Sequence, residues 1–230
     1  MKSIVFDAGP VISMTMNNLV WILPHLRKQF QGSFLISETV KNELVDKPLQ
    51  TKRFKFEALQ TLRMINSKVL SVVPQAQTIS LRSKLLELAN NIYSAKDHPI
   101  AVVHFGEMES LAAALFMESS AIVVDERTTR KLLEDPLELK SILERKLHTP
   151  VEIDRQLLQQ FQRVTKSLQP IRSFELAVIA FEMGLLDQYL PPGDHPKENL
   201  LDAVLWGLKL NGCAVSHEEI TSIIVSEARR

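Results

Sequence analysis

The run Ile4-Val5-Phe6-Asp7 takes the chain from apolar β-branched and aromatic residues straight into an acid, and Ile122-Val123-Val124-Asp125 does the same again. A short segment that is apolar at every position has no face to offer water. It therefore reads as a strand covered on both sides, the situation of a parallel sheet between two layers of helices. Residues just past the carboxyl ends of such strands open into the crevice where α/β proteins bind ligands. Asp7 and Asp125 are thus expected to face one another.

The rest of the punctuation alternates strand and helix. Residues 3–6, 33–36, 121–124 and 151–153 read as strands, the last of these as the final strand of the sheet, and each is followed by polar residues that open a helix. Such alternation predicts a parallel sheet. Ser37 has the N-cap residue type for a helix in which Val40 and Leu44 share a face and Glu43 lies one turn in. Residues 56–65 and 81–88 carry helical patterns, divided by 69–74, which is either a further strand or an edge piece. From Asp154 onward the reading is helical: 157–168, 174–183 ending at Gly184, 200–210 ending at Gly212, and a capped start at Ser216 leading into 220–228. The expected architecture is α/β, a three-layer α/β/α domain with a central, mainly parallel sheet. Residues 1–153 form its core, with a helical insertion around 48–96, and 154–230 a helical extension packed on it.

With 230 residues, 45% of them hydrophobic, the chain can bury an ordinary core. Its apolar stretches fall well short of the roughly 18 residues a membrane span needs. Met1-Lys2-Ser3 runs directly into the first strand without a signal-peptide pattern, so a cytoplasmic protein with no membrane partner is expected. The lone Cys213 rules out a disulfide framework or a cysteine-rich zinc site, so any metal is held by oxygen or imidazole. Twenty-seven basic residues balance 27 acidic ones. This argues against gripping nucleic acid by bulk charge and leaves only local basic patches.

A strand-terminal Asp alone is more often a helix N-cap or loop residue than a catalyst. Several acids brought to one crevice, however, repel one another and call for a cation. Glu107 and Glu109 open a helix of small residues, where the helix dipole favours acids in any case. Being two apart they point in different directions, so at most one aims at a shared site.

The order of these acids resembles the PIN-domain nucleases. The local wording agrees: Phe6-Asp7-Ala8-Gly9-Pro10-Val11-Ile12 is similar to that family's opening, and Gly106-Glu107-Met108-Glu109-Ser110-Leu111-Ala112 to a subfamily with a G-E-x-E-[AS] helix start. Segments from Ile171 to Leu186 and from Leu201 to Ser216 resemble its closing helices, so the likeness covers most of the chain. The resemblance implies a divalent-metal-dependent ribonuclease loaded with Mg2+ or Mn2+. Asp7 and Asp125 would be ligands, Glu107 or Glu109 a ligand directly or through water, and Glu43 an acid that positions water. Hard oxygen ligands suit these ions. Arg127, Arg130 and Lys131 follow Asp125 and are candidates for the RNA backbone, or else simply a solvated helix face. Many PIN nucleases carry a hydroxyl just after the first Asp and two before the last, where this chain has Ala8 and Val123.

The resemblance also implies partners: an RNA substrate, an antitoxin-like protein and a homodimer. Leu201, Leu205 and Leu208 are either a surface for such contacts or core. Phe30, Phe34, Phe105, Phe116 and Trp206 read as core, Asp202 as a surface or buried polar position, and His98 and His104 as caps or surface residues. Two alternatives to the nuclease stay open. One is a catalytically weak PIN-like module that binds RNA or protein. The other is a haloacid-dehalogenase-type phosphohydrolase, against which Gly9 stands where the second acid of a D-x-D strand end would be.

Overall fold

The computed structural model describes residues 2–227; Met1 and residues 228–230, which the ranges above include, lie outside them. The central sheet is built from β1 (Ser3–Phe6), β2 (Ser33–Ser37), β3 (Leu70–Val73), β6 (Ala121–Val123) and β8 (Gln169–Ile171), in the order β3-β2-β1-β6-β8 with all neighbours parallel. Alternation along β1 separates two cores. Ile4 and Phe6 pack on one side with Phe34, Ile36, Leu70 and Val123, and Val5 packs on the other with Leu35, Val73 and Ile122. Each core is closed by helices, which gives the expected three-layer α/β/α architecture. The first is covered by α1 (Ala8–Met16), α2 (Leu23–Phe30), α5 (Lys55–Asn66), α11 (Ser173–Glu182) and α12 (Pro196–Leu210). The second is covered by α6 (Ile79–Ala89), α7 (Phe105–Phe116), α9 (Pro136–Leu147) and α10 (Arg155–Thr165).

After β2 the chain enters α3 (Glu38–Lys41), widens into a π-helical turn at Asn42–Asp46 and closes with α4 (Lys47–Leu49). Ser37 caps this segment by accepting the Val40 N–H at 3.2 Å. Residues 48–96, read as an insertion, contain the crossover helix α5 and the edge strand β3, which settles 69–74 as part of the central sheet.

The strand expected at 151–153 needs correction. β7 (Glu152–Ile153) belongs to a separate small antiparallel sheet with β4 (Tyr93–Ala95) and β5 (His98–Pro99). The fifth strand of the central sheet is β8, inside the stretch read as wholly helical. β8 is three residues long and contains Pro170, which cannot donate to a ladder and is confined to an edge, and an edge is where β8 lies. Residues 154–230 thus supply a strand as well as α11, α12 and α13 (His217–Glu227).

Leu201, Leu205 and Leu208 are fully buried and build the core rather than an outer surface, whereas Asp202 is exposed. Phe34 is core, and Phe30 and Trp206 are partly buried against it. Phe105 and Phe116 are corrections: both are exposed, on the first and last residues of α7. Among the described residues no helix is long and apolar enough to cross a membrane.

Candidate functional site

The strand order reverses at β1. From β1 the chain steps to β2 and β3 on one side and later returns to place β6 on the other. The crevice beyond the carboxyl ends of β1 and β6 is therefore the topological switch point of the sheet. Asp7 follows β1 directly, its N–H donating to the Val123 carbonyl at 2.9 Å, and Asp125 stands two residues past β6. Both are buried, at 7% and 2% exposure. The first turn of α1 passes so close that a Cβ on Gly9 would lie 3.7 Å from the Asp125 Cβ.

Asp7 is held from the far side by α7. The Ser110 hydroxyl donates to Asp7 Oδ1 at 2.7 Å. Burial pushes the Asp7 carboxyl up to about 6; the Ser110 and Ala8 hydrogen bonds pull against this, and the charges of Glu107 and Glu43 push with it. Glu107, half-buried at the head of α7, also accepts the His104 N–H at 2.7 Å and so caps its own helix. Glu43 is exposed on the π-helical turn, a local widening that often marks a functional position.

Asp125 is held by a different element. Its Oδ1 accepts the Ser173 N–H at 2.8 Å and its Oδ2 accepts the Ser173 hydroxyl at 2.7 Å, which seats the carboxylate at the amino terminus of α11. The Asp125 carbonyl accepts the Ala214 N–H at 3.1 Å. The buried Cys213 thiol is pushed up to about 12, first by burial and then by the Asp125 charge. Asp125 therefore ties β6 to α11 and to the segment before α13.

Glu109 is not at this site. Its side chain is wholly enclosed, 3.0 Å from Arg82 Nη1, and it also accepts the Thr78 hydroxyl. The Arg82 guanidinium in turn lies 4.0 Å from the centre of the Phe105 ring. Of the two acids on α7, Glu107 acts on Asp7 and Glu109 holds α6 to α7.

Arg127, Arg130 and Lys131 lie on α8 (Arg127–Glu134) and line a recess of about 400 Å³ together with Ser216 and Glu219. Arg130 pairs with Glu134 at 2.8 Å and Lys131 pairs with Glu138. Arg127 is exposed and has no ion-pair partner among the described residues, which leaves it the cation most available to an anion.

The acids around Asp7 fit a divalent cation in kind. They are hard oxygen donors, the charges acting on Asp7 are acidic ones, and each Asp oxygen that accepts one hydrogen bond retains a lone pair. Their spacing is looser: among the described residues no three His, Cys, Asp or Glu side chains stand close enough to hold a metal ion where they now lie. A cation held here would have to draw acids of this crevice closer together than they now lie.

Sequence reasoning missed Ser110 and Ser173, whose hydroxyls donate to Asp7 and Asp125. Ser110 was open to discovery, because it lies three residues after Glu107 on the same helical face. Ser173 was hidden with β8. No family model, curated protein or solved structure matches the chain.

Proposed function

We propose that this chain is a divalent-metal-dependent ribonuclease that hydrolyses RNA phosphodiester bonds in the crevice beyond β1 and β6. The observation that carries the reading is the pair of buried carboxylates, Asp7 and Asp125, at the carboxyl ends of the two strands flanking the switch point. The Asp7 carboxyl, raised chiefly by burial and to a smaller extent by the charges of Glu107 and Glu43, supports it, since a bound cation would favour the ionised form that burial now disfavours.

On this reading Asp7, Asp125 and Glu107 would hold Mg2+ or Mn2+. Such an ion, when bound, would lower the pKa of a water so that hydroxide is available to attack phosphorus near neutral pH, and would offset charge on the phosphate. Ser110 fixes the Asp7 carboxylate, and Ser173 fixes that of Asp125. Glu43, free in solvent at the mouth, orients the attacking water and takes up its proton at the carboxylate. Arg127 steadies the backbone phosphate beside the scissile one. Hydrogen-bonded carboxylates of this sort are pre-set before the substrate arrives, so less reorganisation remains for the reaction.

A second reading is a PIN-like RNA-binding or interaction module without appreciable cleavage. It is favoured by the commitment of both Asp125 oxygens to Ser173 and by the loose spacing of the acids. Incubation of labelled RNA with purified protein, with and without manganese, separates the two. Cleavage that needs manganese and disappears in Asp7→Asn supports the ribonuclease, and binding without cleavage supports the module.

A further inference from the structure

Beside the acidic crevice lies a recess of about 270 Å³ between α1, the π-helical turn and α5, of whose lining the chemistry above uses Glu43 alone. Its walls are mainly apolar: Ile12 and Met16 from α1, Pro48 from α4, and Phe54 at the start of α5, with Glu43 and Glu57 among the lining residues. Ile12, Met16 and Phe54 are all exposed, an unusual setting for three large apolar side chains on one recess. Phe54 has φ of +60°, a left-handed conformation that is strained for a bulky side chain and that sets its ring in the recess wall. The Arg53 guanidinium lies 4.6 Å from the centre of that ring.

We propose that this recess receives one unpaired nucleobase of single-stranded RNA, guanine in preference to uracil, and so orients the strand for cleavage next door. The inference rests on the ribonuclease reading and adds the substrate class to it. Continuity is the first ground, because Glu43 lines the recess and also presses on the Asp7 carboxylate. A base seated there brings its own phosphate toward the crevice. Shape is the second, since an exposed aromatic ring flanked by a guanidinium and aliphatic side chains offers the stacking surface that splayed-out bases use, and a base locked in a duplex cannot reach it. Chemistry is the third. Ionised carboxylates only accept hydrogen bonds. Guanine presents two adjacent N–H donors that match both oxygens of one carboxylate, whereas uracil flanks its single N–H with carbonyls that would oppose Glu43 and Glu57.

The test uses 5′-GMP and 5′-UMP as probes on the full-length, metal-free protein, with binding followed by calorimetry or NMR. GMP is expected to bind roughly tenfold or more tightly than UMP. Phe54→Ala should weaken GMP by a similar factor, in line with the loss of one base–aromatic stack. Glu57→Gln should bring the two nucleotides together, because the amide offers a donor to uracil carbonyls. Phe54 is exposed, so circular dichroism is expected to show an unaltered fold in its variant. Mapping of manganese-dependent cuts on a single-stranded RNA should then place them at a fixed step from guanines. GMP preference without cleavage supports the recess while removing the ribonuclease reading. Cleavage indifferent to base and to Phe54→Ala overturns the recess and leaves the ribonuclease standing. Equal or absent nucleotide binding overturns it as well; if sedimentation then shows self-association lost in Phe54→Ala, the recess belongs to a second copy of the chain.

Discussion

Glu109 Oε2 and Arg82 Nη1 are 3.0 Å apart with Glu109 fully enclosed, so the second acid of the Gly106-Glu107-Met108-Glu109 segment is an internal strut between α6 and α7. Removing one partner of a buried pair leaves the other charged and unpaired. Glu109→Ala should therefore cost about 3–5 kcal/mol in urea unfolding, with Glu109→Gln closer to wild type because it keeps an acceptor. A loss below about 1 kcal/mol would mean that Arg82 finds water instead.

Ser173 gives the Asp125 carboxylate two hydrogen bonds, one to each oxygen. Ser173→Ala removes only the hydroxyl, and losing that hydrogen bond to a buried carboxylate should cost about 1–3 kcal/mol. Asp125→Ala should cost more, since it also strips the amino terminus of α11 of its acceptor. Denaturant midpoints of the two variants check this order, and the reverse order would contradict the placement of Asp125 at that helix end.

The Asp7 carboxyl stands at about 6 in the folded protein against an ordinary value of 3.8. Between those values the folded state holds more proton than the unfolded chain, so this group's contribution is present below pH 4 and lost as pH rises through 6. The shift corresponds to about 3 kcal/mol. The stability difference between wild type and Asp7→Asn, followed from pH 4 to pH 7, should move in favour of the variant by an amount of that order. A difference independent of pH would place Asp7 in a polar, relaxed environment.

A cation that binds only the folded protein stabilises it by mass action. Millimolar manganese should raise the melting temperature of wild type more than that of Asp7→Ala, and should do so less at pH 5, where Asp7 is largely protonated. Equal responses would show the ion bound elsewhere.

Much of this arrangement was legible in the sequence because it rests on short-range patterns. The unbroken apolar runs ending at Asp7 and Asp125 announced central strands and placed both acids at their carboxyl ends. The two-residue spacing of Glu107 and Glu109 required that one of them turn away. What escaped detection depends on contacts distant in sequence. β8 is too short and too polar around Pro170 to read as a strand, and without it Ser173 could not be seen beside Asp125. Arg82, 27 residues before Glu109, had no local signal linking it to that acid. The exposure of Phe105 and Phe116 follows from their places at the two ends of α7, beyond the span that packs on the sheet.

The most direct test of the account is the rate of manganese-dependent cleavage of a labelled single-stranded RNA by four variants beside wild type. Asp7→Asn and Asp125→Asn should each lose about a hundredfold or more, corresponding to about 2.7 kcal/mol of transition-state stabilisation. Glu107→Gln should lose less. Glu109→Gln, measured where it remains folded, should cleave at close to the wild-type rate. Cleavage that survives in Asp7→Asn and Asp125→Asn, or that falls in Glu109→Gln as steeply as in Asp7→Asn, would contradict a catalytic crevice centred on Asp7.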